Sequence, residues 1–267
     1  MTAVVTRARL DAELVRRGLA RSRQQAAELI EQGRVAVRGA QAGKAATMVD
    51  RDTPVTVQET TEREWASRGA HKLIGALDTF DVDVTGLRCL DAGASTGGFT
   101  DVLLDRGAAR VVAVDVGYGQ LVWRLRSDER VHVLDRTNVR ALGPDDIGGP
   151  ARITVADLSF ISLRTVLPAL AACTTPDGEL LPMVKPQFEV GRDRLGTGGV
   201  VRDPELRLAA LTAVATAARE LGLTPRGAVA SPLPGPSGNV EYFLRLTRDG
   251  ADLGDAALRA AVEEGPQ

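Results

Sequence analysis

The chain begins with two short stretches in which apolar residues recur at the spacing of an α-helix, within residues 10–17 and 22–32. Ser22 fits the capping position of the second stretch, and a glycine follows each one, as is common at helix ends. Valines that alternate with other residues at 35–37 and 55–57 indicate two short strands. The pattern predicts a small α+β domain in which two helices precede a hairpin-like sheet.

From Ser67 onwards the pattern changes to apolar strands that alternate with helices. Ser67 is suited to cap a helix whose apolar face runs from Ala70 to Leu77, and further helical patterns follow Leu163 and span residues 205–221. Five continuous apolar runs are typical of buried parallel strands: residues 87–91, 111–115, 131–135, 153–157 and 180–185. Alternation of this kind predicts an α/β fold with a doubly wound, Rossmann-like sheet.

Two further strands are predicted near the end of the chain, at residues 227–230 and 240–246. The segment between them, residues 231–239, is rich in proline, glycine and serine and has no helical pattern. Two strands joined without a helix favour an antiparallel edge on the sheet. Glu241 falls inside the second of these strands, where an unpaired carboxylate would be costly to bury.

With 267 residues and a usual domain size of about 150, the chain has room for a small domain joined to a larger one. A composition of 44% apolar and 25% charged residues argues against general disorder. No apolar run approaches the roughly 18 residues of a membrane span. Charged residues stand where a secretory signal would need its apolar region, so we expect no membrane association and a cytoplasmic location. The two cysteines lie far apart, which favours reduced, buried thiols.

Charge divides the chain into a basic and an acidic part. Residues 1–60 hold ten lysines and arginines against seven aspartates and glutamates, a net charge of +3, which leaves −5 for the remainder. None of the nine aromatic residues lies in this first part. We therefore expect one domain at residues 1–60, a linker at 61–66 and a second domain at 67–267.

The basic residues of the first domain form a candidate phosphate-binding face. Arg21 and Arg23 flank the start of the second predicted helix, where backbone N–H groups also favour phosphate. Composition alone fits an ordinary solvated helix surface equally well. Because the domain has no aromatic residue on which bases could stack, we expect contacts to the nucleic-acid backbone and its shape.

A glycine-rich loop follows the strand at 87–91 and precedes a helical pattern at 102–104. The glycines at 93, 97 and 98 allow close approach of a ligand, yet their spacing differs from that of dinucleotide-binding and phosphate-binding loops. A nucleotide cofactor without a pyrophosphate therefore fits better. Asp115 ends the next strand, where an acidic residue typically holds the ribose hydroxyls, so we predict an adenosine ligand.

Charged residues stand at the ends of several predicted strands: Asp91, Asp115, Asp157 and Lys185. Ligands of open α/β sheets bind outside the carboxyl ends of the strands, which makes these residues site candidates. The two histidines lack partner motifs and are expected to be structural, and no spacing of Cys, His and acidic residues indicates a metal site.

Order and spacing in the first domain resemble the RNA-binding module shared by small-subunit ribosomal protein four and many pseudouridine synthases, across residues 9–37. Four motifs in the second domain resemble the TlyA family, namely residues 91–100, 155–163, 185–189 and 237–243. This family, once labelled hemolysins, comprises ribosomal RNA 2′-O-methyltransferases with an FtsJ-like catalytic domain. The resemblance implies S-adenosyl-L-methionine as methyl donor and cytidine ribose in 16S and 23S ribosomal RNA as acceptor.

On the matching positions, the resemblance implies a catalytic tetrad of Lys72, Asp157, Lys185 and Glu241. Together with the loop and strand-end arguments it gives a set of expected cofactor-binding residues: Asp91, Gly93, Ser95, Thr96, Gly97, Asp115 and Asn138. The expected RNA-binding residues are basic: Arg9, Arg16, Arg21, Arg23, Lys44 and Arg68. We expect a monomer that acts on ribosomal RNA, within ribosomal subunits, without a metal.

Our mechanistic hypothesis places Lys185 nearest the ribose 2′-hydroxyl, with Asp157 orienting it and with Lys72 and Glu241 holding the ribose. Whether Lys185 accepts the proton or only aligns the hydroxyl stays open at this stage. Three other functions remain to be compared: a pseudouridine synthase, a membrane-active hemolysin and an RNA-binding scaffold without catalysis.

Overall fold

The chain divides into two units, Met1–Glu64 and Trp65–Gln267. The structure, a computed structural model, describes residues 7–31, 33–58, 63–235 and 237–266, without the side chain of Arg192. Residues 61 and 62 of the predicted linker lie outside this description. Trp65 and Ala66 pack against the core of the second unit, and the backbone N–H of Ala66 donates to Asp101 at 2.8 Å.

The N-terminal unit contains the two predicted helices and two small antiparallel sheets. Ser22 caps the second helix, since its hydroxyl accepts from the backbone N–H of Gln25 at 3.1 Å. The predicted pairing of the two valine strands is confirmed, with Val35 opposite Val57. The helices are α1 (Leu10–Arg16) and α2 (Arg23–Glu31), and the strands are β1 (Arg7–Arg9), β2 (Val35–Val37), β3 (Ala40–Gln41), β4 (Met48–Asp50) and β5 (Val55–Val57).

Strands β1 and β4 form a sheet of their own that the sequence pattern does not predict. Neither strand has the alternating valines that mark β2 and β5, since β1 reads Arg-Ala-Arg and β4 reads Met-Val-Asp. Helices α1 and α2 share one small apolar core with strands β2 and β4, and this core includes Leu10, Leu14 and Ile30.

The C-terminal unit is built on one seven-stranded sheet in the order β11-β12-β10-β9-β6-β7-β8. The strands are β6 (Arg88–Ala92), β7 (Arg110–Val114), β8 (Val131–Leu134), β9 (Ala151–Ala156), β10 (Thr174–Val184), β11 (Thr224–Ala230) and β12 (Tyr242–Thr247). The helices are α3 (Gly69–Phe80), α4 (Gly98–Asp105), α5 (Trp123–Arg126), α6 (Leu163–Ala172), α7 (Pro186–Glu189), α8 (Pro204–Glu220) and α9 (Gly254–Glu263).

Two apolar cores cover the two faces of this sheet, one with residues of α3 and α4 and the other with residues of α6, α8 and α9. Strands β6 to β10 pair in parallel, whereas β12 runs antiparallel to both β10 and β11. The predicted doubly wound α/β fold with an antiparallel edge is therefore confirmed. Strand order reverses between β6 and β9, and the crevice at such a point is where ligands of these sheets bind.

One detail of the prediction for the second terminal strand is wrong. Strand β12 begins at Tyr242, so Glu241 lies just before the strand, and β12 is an inner strand because β11 covers its other side. A near-continuous apolar run shows that both faces of a strand are buried, but it does not show whether another strand pairs with its outer edge. Position 241 is thus the last residue of the preceding loop, at the carboxyl edge of the parallel strands.

Candidate active site

Lys185 and Asp157 form an ion pair at the ends of neighbouring strands. Asp157 follows β9 and Lys185 follows β10, which pairs in parallel with β9. The Lys185 Nζ lies 2.6 Å from Oδ1 of Asp157 and donates to the hydroxyl of Ser159 at 3.0 Å. Lys185 is only 8% exposed, so its ammonium is held in one place by these contacts.

Lys72 and Glu241 form a second buried ion pair. Lys72 lies on α3, and its Nζ donates to Oε2 of Glu241 at 2.5 Å. Glu241 is 1% exposed and Lys72 8%, so each charge is compensated mainly by the other. Val184 pairs with Tyr242 across β10 and β12, so the residues one step beyond, Lys185 and Glu241, stand at the same edge of the sheet.

The loop before Glu241 is fixed by two residues that the sequence reasoning did not single out. A side-chain carbon at Gly235 would lie 2.5 Å from Oε1 of Glu241, so only glycine leaves room for the carboxylate. The buried Asn239 accepts from the backbone N–H of Val201 at 2.9 Å and donates to the carbonyl of Gly199 at 3.0 Å. The segment 196–201 and the loop that carries Glu241 are therefore held together.

The glycine loop connects β6 to α4 over residues 93–97. Gly93 has φ +91°, and a side chain there would lie 2.4 Å from the backbone oxygen of Asp157, which explains the need for glycine. Gly97, with φ +104°, stands at the start of α4. The loop thus packs closely against the end of β9 and ends at a helix N-terminus, while the carbonyl of Thr96 accepts from Val122 at 3.2 Å.

Asp115 follows β7 and is held by two backbone N–H groups. Ser95 of the glycine loop donates to Oδ2 at 2.8 Å, and Gly117 donates to Oδ1 at 2.7 Å. Each carboxylate oxygen has a further lone pair with which to accept from a ligand hydroxyl. This arrangement orients Asp115 beside the loop. Its contact with a ribose remains a prediction.

Asn138 has a structural contact. Its side-chain oxygen accepts from the backbone N–H of Arg140 at 3.0 Å and caps a single 3₁₀ turn at Val139–Ala141. Asn138 is exposed in the segment after β8. Its role towards a cofactor remains a prediction.

Asp91, the residue before the last of β6, is fully buried, and only one of its two carboxyl oxygens has a hydrogen-bond partner among the described residues. The hydroxyl of Thr100 donates to Oδ2 at 2.7 Å, whereas Oδ1 is buried without a partner. Burial raises the pKa of Asp91 to about 7, and the negative charges of Asp157 and Asp115 act in the same direction, while Thr100 opposes them.

Three carboxylates, those of Asp91, Asp115 and Asp157, thus surround the glycine loop, and residues 91–100 contain no lysine or arginine. Such a site suits a cationic nucleoside and disfavours a pyrophosphate. S-adenosyl-L-methionine, an adenosine with a sulfonium and no phosphate, has the chemistry that these residues fit.

Phe160 is an exposed aromatic residue that the sequence reasoning passed over. It follows Asp157 and Ser159, has φ +63° and is 92% exposed. Its ring centroid lies 5.3 Å from that of Phe188, which follows Lys185 in the chain. A non-glycine residue at positive φ is uncommon, and here it presents a flat apolar ring beside the Lys185–Asp157 pair.

In the N-terminal unit, two buried carboxylates hold four arginines. Arg9 and Arg23 both bind Asp11, at 3.0 and 2.9 Å, and hydrogen bonds from these arginines lower its pKa to about 2. Glu13 likewise binds Arg16 at 2.6 Å and Arg17 at 2.7 Å, and its pKa is also lowered to about 2. The charge of each predicted RNA contact in this set is therefore partly balanced.

The other three predicted RNA contacts are placed differently. Arg21 lies 3.4 Å from Glu64, with both side chains exposed. Lys44 is exposed in the segment between β3 and β4. Arg68 is exposed but belongs to the C-terminal unit, immediately before α3.

Within the residues that the structure describes, no helix is long and apolar enough to cross a membrane. The same residues include no group of three or more His, Cys, Asp or Glu side chains that could hold a metal ion.

Comparison with known proteins identifies both units. Residues 65–248 match the FtsJ-like methyltransferase family, and residues 8–55 match the S4 domain. The chain is 63% identical to a 16S/23S rRNA (cytidine-2′-O)-methyltransferase TlyA of Mycobacterium tuberculosis over 266 residues, which cover 97% of this chain and 99% of the relative. It is 35% identical to Hemolysin A of Brachyspira hyodysenteriae, with 89% of this chain and 99% of the relative covered.

A solved structure from Streptococcus thermophilus, which also carries the hemolysin name, superposes with a TM-score of 0.77. The two sequences are 35% identical, and the match covers 98% of this chain and 96% of the other. The likeness therefore extends over both units.

Proposed function

Since the chain belongs to the TlyA family of FtsJ-like methyltransferases, we propose that it methylates cytidine ribose 2′-hydroxyls in 16S and 23S ribosomal RNA. The observation that carries the proposal is the presence of two ion pairs at one edge of the sheet, the partly buried pair of Lys185 with Asp157 and the buried pair of Lys72 with Glu241. S-adenosyl-L-methionine is the proposed donor, because its positive charge suits the three acidic residues around the glycine loop, Asp91, Asp115 and Asp157.

The reaction is an in-line displacement in which the ribose oxygen forms a bond to the methyl carbon as the carbon–sulfur bond breaks. The enzyme must therefore align the oxygen and allow its proton to leave. We assign the first task to Lys185, whose position is fixed by Asp157 and Ser159. As an ammonium ion paired with Asp157, Lys185 donates to the ribose oxygen and stabilises its developing negative charge, and the hydroxyl proton passes to a solvent water late in the step, since Asp157 is 26% exposed.

Lys72 and Glu241 are proposed to hold the ribose from the other side. Lys72 has three donor positions, and only one of them is needed for its bond to Glu241. Because Glu241 is buried and Gly235 leaves no slack around its carboxylate, the pair keeps a fixed direction. Fixed donors require no reorganisation during the reaction, which is the main source of electrostatic catalysis.

RNA binding is assigned to both units. The S4 domain carries the arginines that buried Asp11 and Glu13 hold at the surface, in a form suited to phosphate contacts. In the C-terminal unit, the exposed ring of Phe160 offers a stacking surface for an unpaired base next to Lys185. Arg68, which immediately precedes the helix that carries Lys72, is proposed to contact RNA.

A cytoplasmic location and action on ribosomal subunits belong to the same proposal, because ribosomal RNA is modified where ribosomes assemble. We also propose that the chain acts as a monomer, since all four catalytic side chains come from one copy of the C-terminal unit.

The proposal is tested by incubating the purified protein with S-adenosyl-L-methionine and either ribosomal subunits or protein-free ribosomal RNA from unmodified cells. Digestion to nucleosides and mass spectrometry should then find 2′-O-methylcytidine, with the Lys185→Ala protein as the negative control. Methylation on a base, or pseudouridine without methylation, would contradict the proposal. Leakage of liposomes caused by the pure protein would favour the hemolysin instead.

A further inference from the structure

Asp91 carries a buried carboxyl oxygen that has no hydrogen-bond partner among the described residues. Its other oxygen accepts from the hydroxyl of Thr100, at 2.7 Å, the backbone of Thr100 also favours the charged form, and the residue is 0% exposed. A buried carboxylate with so little compensation is costly to ionise. The group is therefore poised to exist in either of two protonation states.

The charged groups around Asp91 all belong to the carboxyl edge of the sheet. Asp115 follows β7 on one side, and Asp157, paired with Lys185, follows β9 on the other. Thr100 comes from α4, and Cys89 lies two residues earlier on the same strand, where burial raises its pKa to about 12 and keeps it neutral. Asp91 thus faces negative charge from both neighbouring strand ends, and burial raises its own pKa to about 7.

The methyl donor and its spent product differ in charge at one atom. The donor has a positively charged sulfonium, whereas S-adenosyl-L-homocysteine has a neutral thioether, and both share the adenosine and amino-acid groups. A cation among three carboxylates favours their ionised form, and a neutral sulfur does not. A titratable group near the sulfur can therefore make the site bind the two ligands with different affinities, even when both ligands make the same van der Waals contacts.

We propose that Asp91 is the residue by which the cofactor site distinguishes donor from product, losing its proton when the cationic donor binds and keeping it when the neutral product binds. The inference rests on the proposed function, because it takes S-adenosyl-L-methionine as the donor. It also gives the site a means of releasing product, since removal of the methyl group removes the charge that kept Asp91 ionised.

Linkage fixes the direction of the pH dependence. At about pH 6 the unliganded site holds the Asp91 proton, so donor binding must expel it and is weakened. At about pH 8 the carboxyl is already ionised, so donor binding expels no proton and the sulfonium is attracted to the full negative charge of Asp91. The preference for donor over product should therefore increase by about tenfold across this range, since one proton is exchanged per site.

Isothermal titration calorimetry tests this without any turnover. The purified full-length protein is titrated with each ligand at about pH 6, in two buffers of different ionisation enthalpy, to count the protons released. We expect about one proton for S-adenosyl-L-methionine and almost none for S-adenosyl-L-homocysteine. Equal proton counts for the two ligands would overturn the inference and leave the proposed function intact, whereas failure of the donor to bind at all would overturn both.

Two variants and a control test whether the released proton comes from Asp91. Asp91→Asn should abolish both the proton release and the pH dependence of the donor preference. Thr100→Val removes a bond to the ionised carboxyl and should move the midpoint of the pH dependence to higher pH, which keeps the test valid if Asp91→Asn does not fold. Glu129→Gln, at an exposed residue of the C-terminal unit, should change nothing. An unshifted midpoint in Thr100→Val would contradict the assignment to Asp91.

Discussion

Asp11 in the N-terminal unit and Asp91 in the C-terminal unit are both buried aspartates, yet their surroundings shift their pKa values in opposite directions. Arg9 and Arg23 bind Asp11, and its pKa is lowered to about 2. Asp91 has one hydroxyl partner and two acidic neighbours, and its pKa is raised to about 7. Burial alone therefore does not decide the state of a carboxyl group, because the partners decide it.

The difference matches what each unit is proposed to do. In the first unit, buried carboxylates fix arginine side chains that a flexible surface would leave disordered, which favours docking on phosphates. In the second unit, negative charge at the cofactor loop is left under-compensated, which favours a cationic ligand. The buried carboxylates of the first unit thus stabilise the fold. The under-compensated carboxyl groups at the cofactor loop of the second unit reduce its stability.

The largest effect is expected where a buried charge loses its only strong partner. Glu241→Gln leaves Lys72 buried without a counter-charge, so it should lower the unfolding free energy by ~3 kcal/mol. The loss of a fixed donor direction should also lower the methylation rate by ~10²-fold to 10³-fold. Urea unfolding and rate measurements check both, with the exposed Glu220→Gln as control. Unchanged stability and turnover would show that the pair is not coupled to the reaction.

Asp91→Asn, in contrast to Glu241→Gln, should raise the unfolding free energy relative to the parent at alkaline pH. The folded-state pKa of about 7 exceeds the ordinary value of 3.8, so the folded state binds the extra proton, and the parent loses stability as pH rises between about 4 and 7. Removing the charge should therefore make the variant ~3 kcal/mol more stable relative to the parent at about pH 8 than at about pH 4. Unfolding curves at the two pH values measure this, and a pH-independent difference would be inconsistent with it.

The arginine surface is tested by a double reversal. Arg21→Glu with Arg23→Glu should weaken binding to ribosomal RNA by about tenfold or more and reduce the slope of its salt dependence by about one to two units. Donor binding should stay unchanged, because the glycine loop belongs to the other unit. Binding across a salt titration, compared with the exposed Arg226→Glu, checks this. Equal slopes for parent and double variant would mean that these arginines form only a solvated face.

The smallest effect is expected at Asp11. Its lowered pKa contributes stability that is present above about pH 4 and lost as pH falls towards 2. Because Arg9 and Arg23 are about half exposed, screening by solvent reduces the contribution, and Asp11→Asn should cost ~1 kcal/mol at neutral pH. Hydrogen exchange of the α1 amides reports it, with the exposed Asp52→Asn as control. Slower exchange of the α1 amides in Asp11→Asn would contradict the claim that the Asp11 carboxylate, unlike that of Asp91, stabilises the fold.

Much of the fold can be predicted from local patterns of apolar residues in the sequence. Buried parallel strands appear as continuous apolar runs, and the carboxyl ends of such strands meet at one edge of the sheet. The pattern alone therefore assigns Asp91, Asp115, Asp157 and Lys185 to that edge. The strand order itself is not local, so the inner position of β12 and the place of Glu241 before it escape the pattern.

Contacts between distant residues are the part that the sequence pattern does not reveal. Lys72 and Glu241 are 169 residues apart, and only the family resemblance joined them. Nothing in the composition distinguishes the arginines tied to Asp11 and Glu13 from those that are not. The need for glycine at 235 arises from close packing against Glu241, which depends on the whole fold, and the positive φ of Phe160 has no signal in the sequence pattern.

The most direct test of the account is a single-turnover measurement on Lys185→Ala, with donor and ribosomal RNA affinities determined on the same protein. If Lys185 acts at the ribose oxygen, the methylation rate at saturating donor and RNA should fall by ~10³-fold or more. Both affinities should stay within about twofold of the parent. Near-normal turnover, or a loss fully explained by weaker donor binding, would contradict the account.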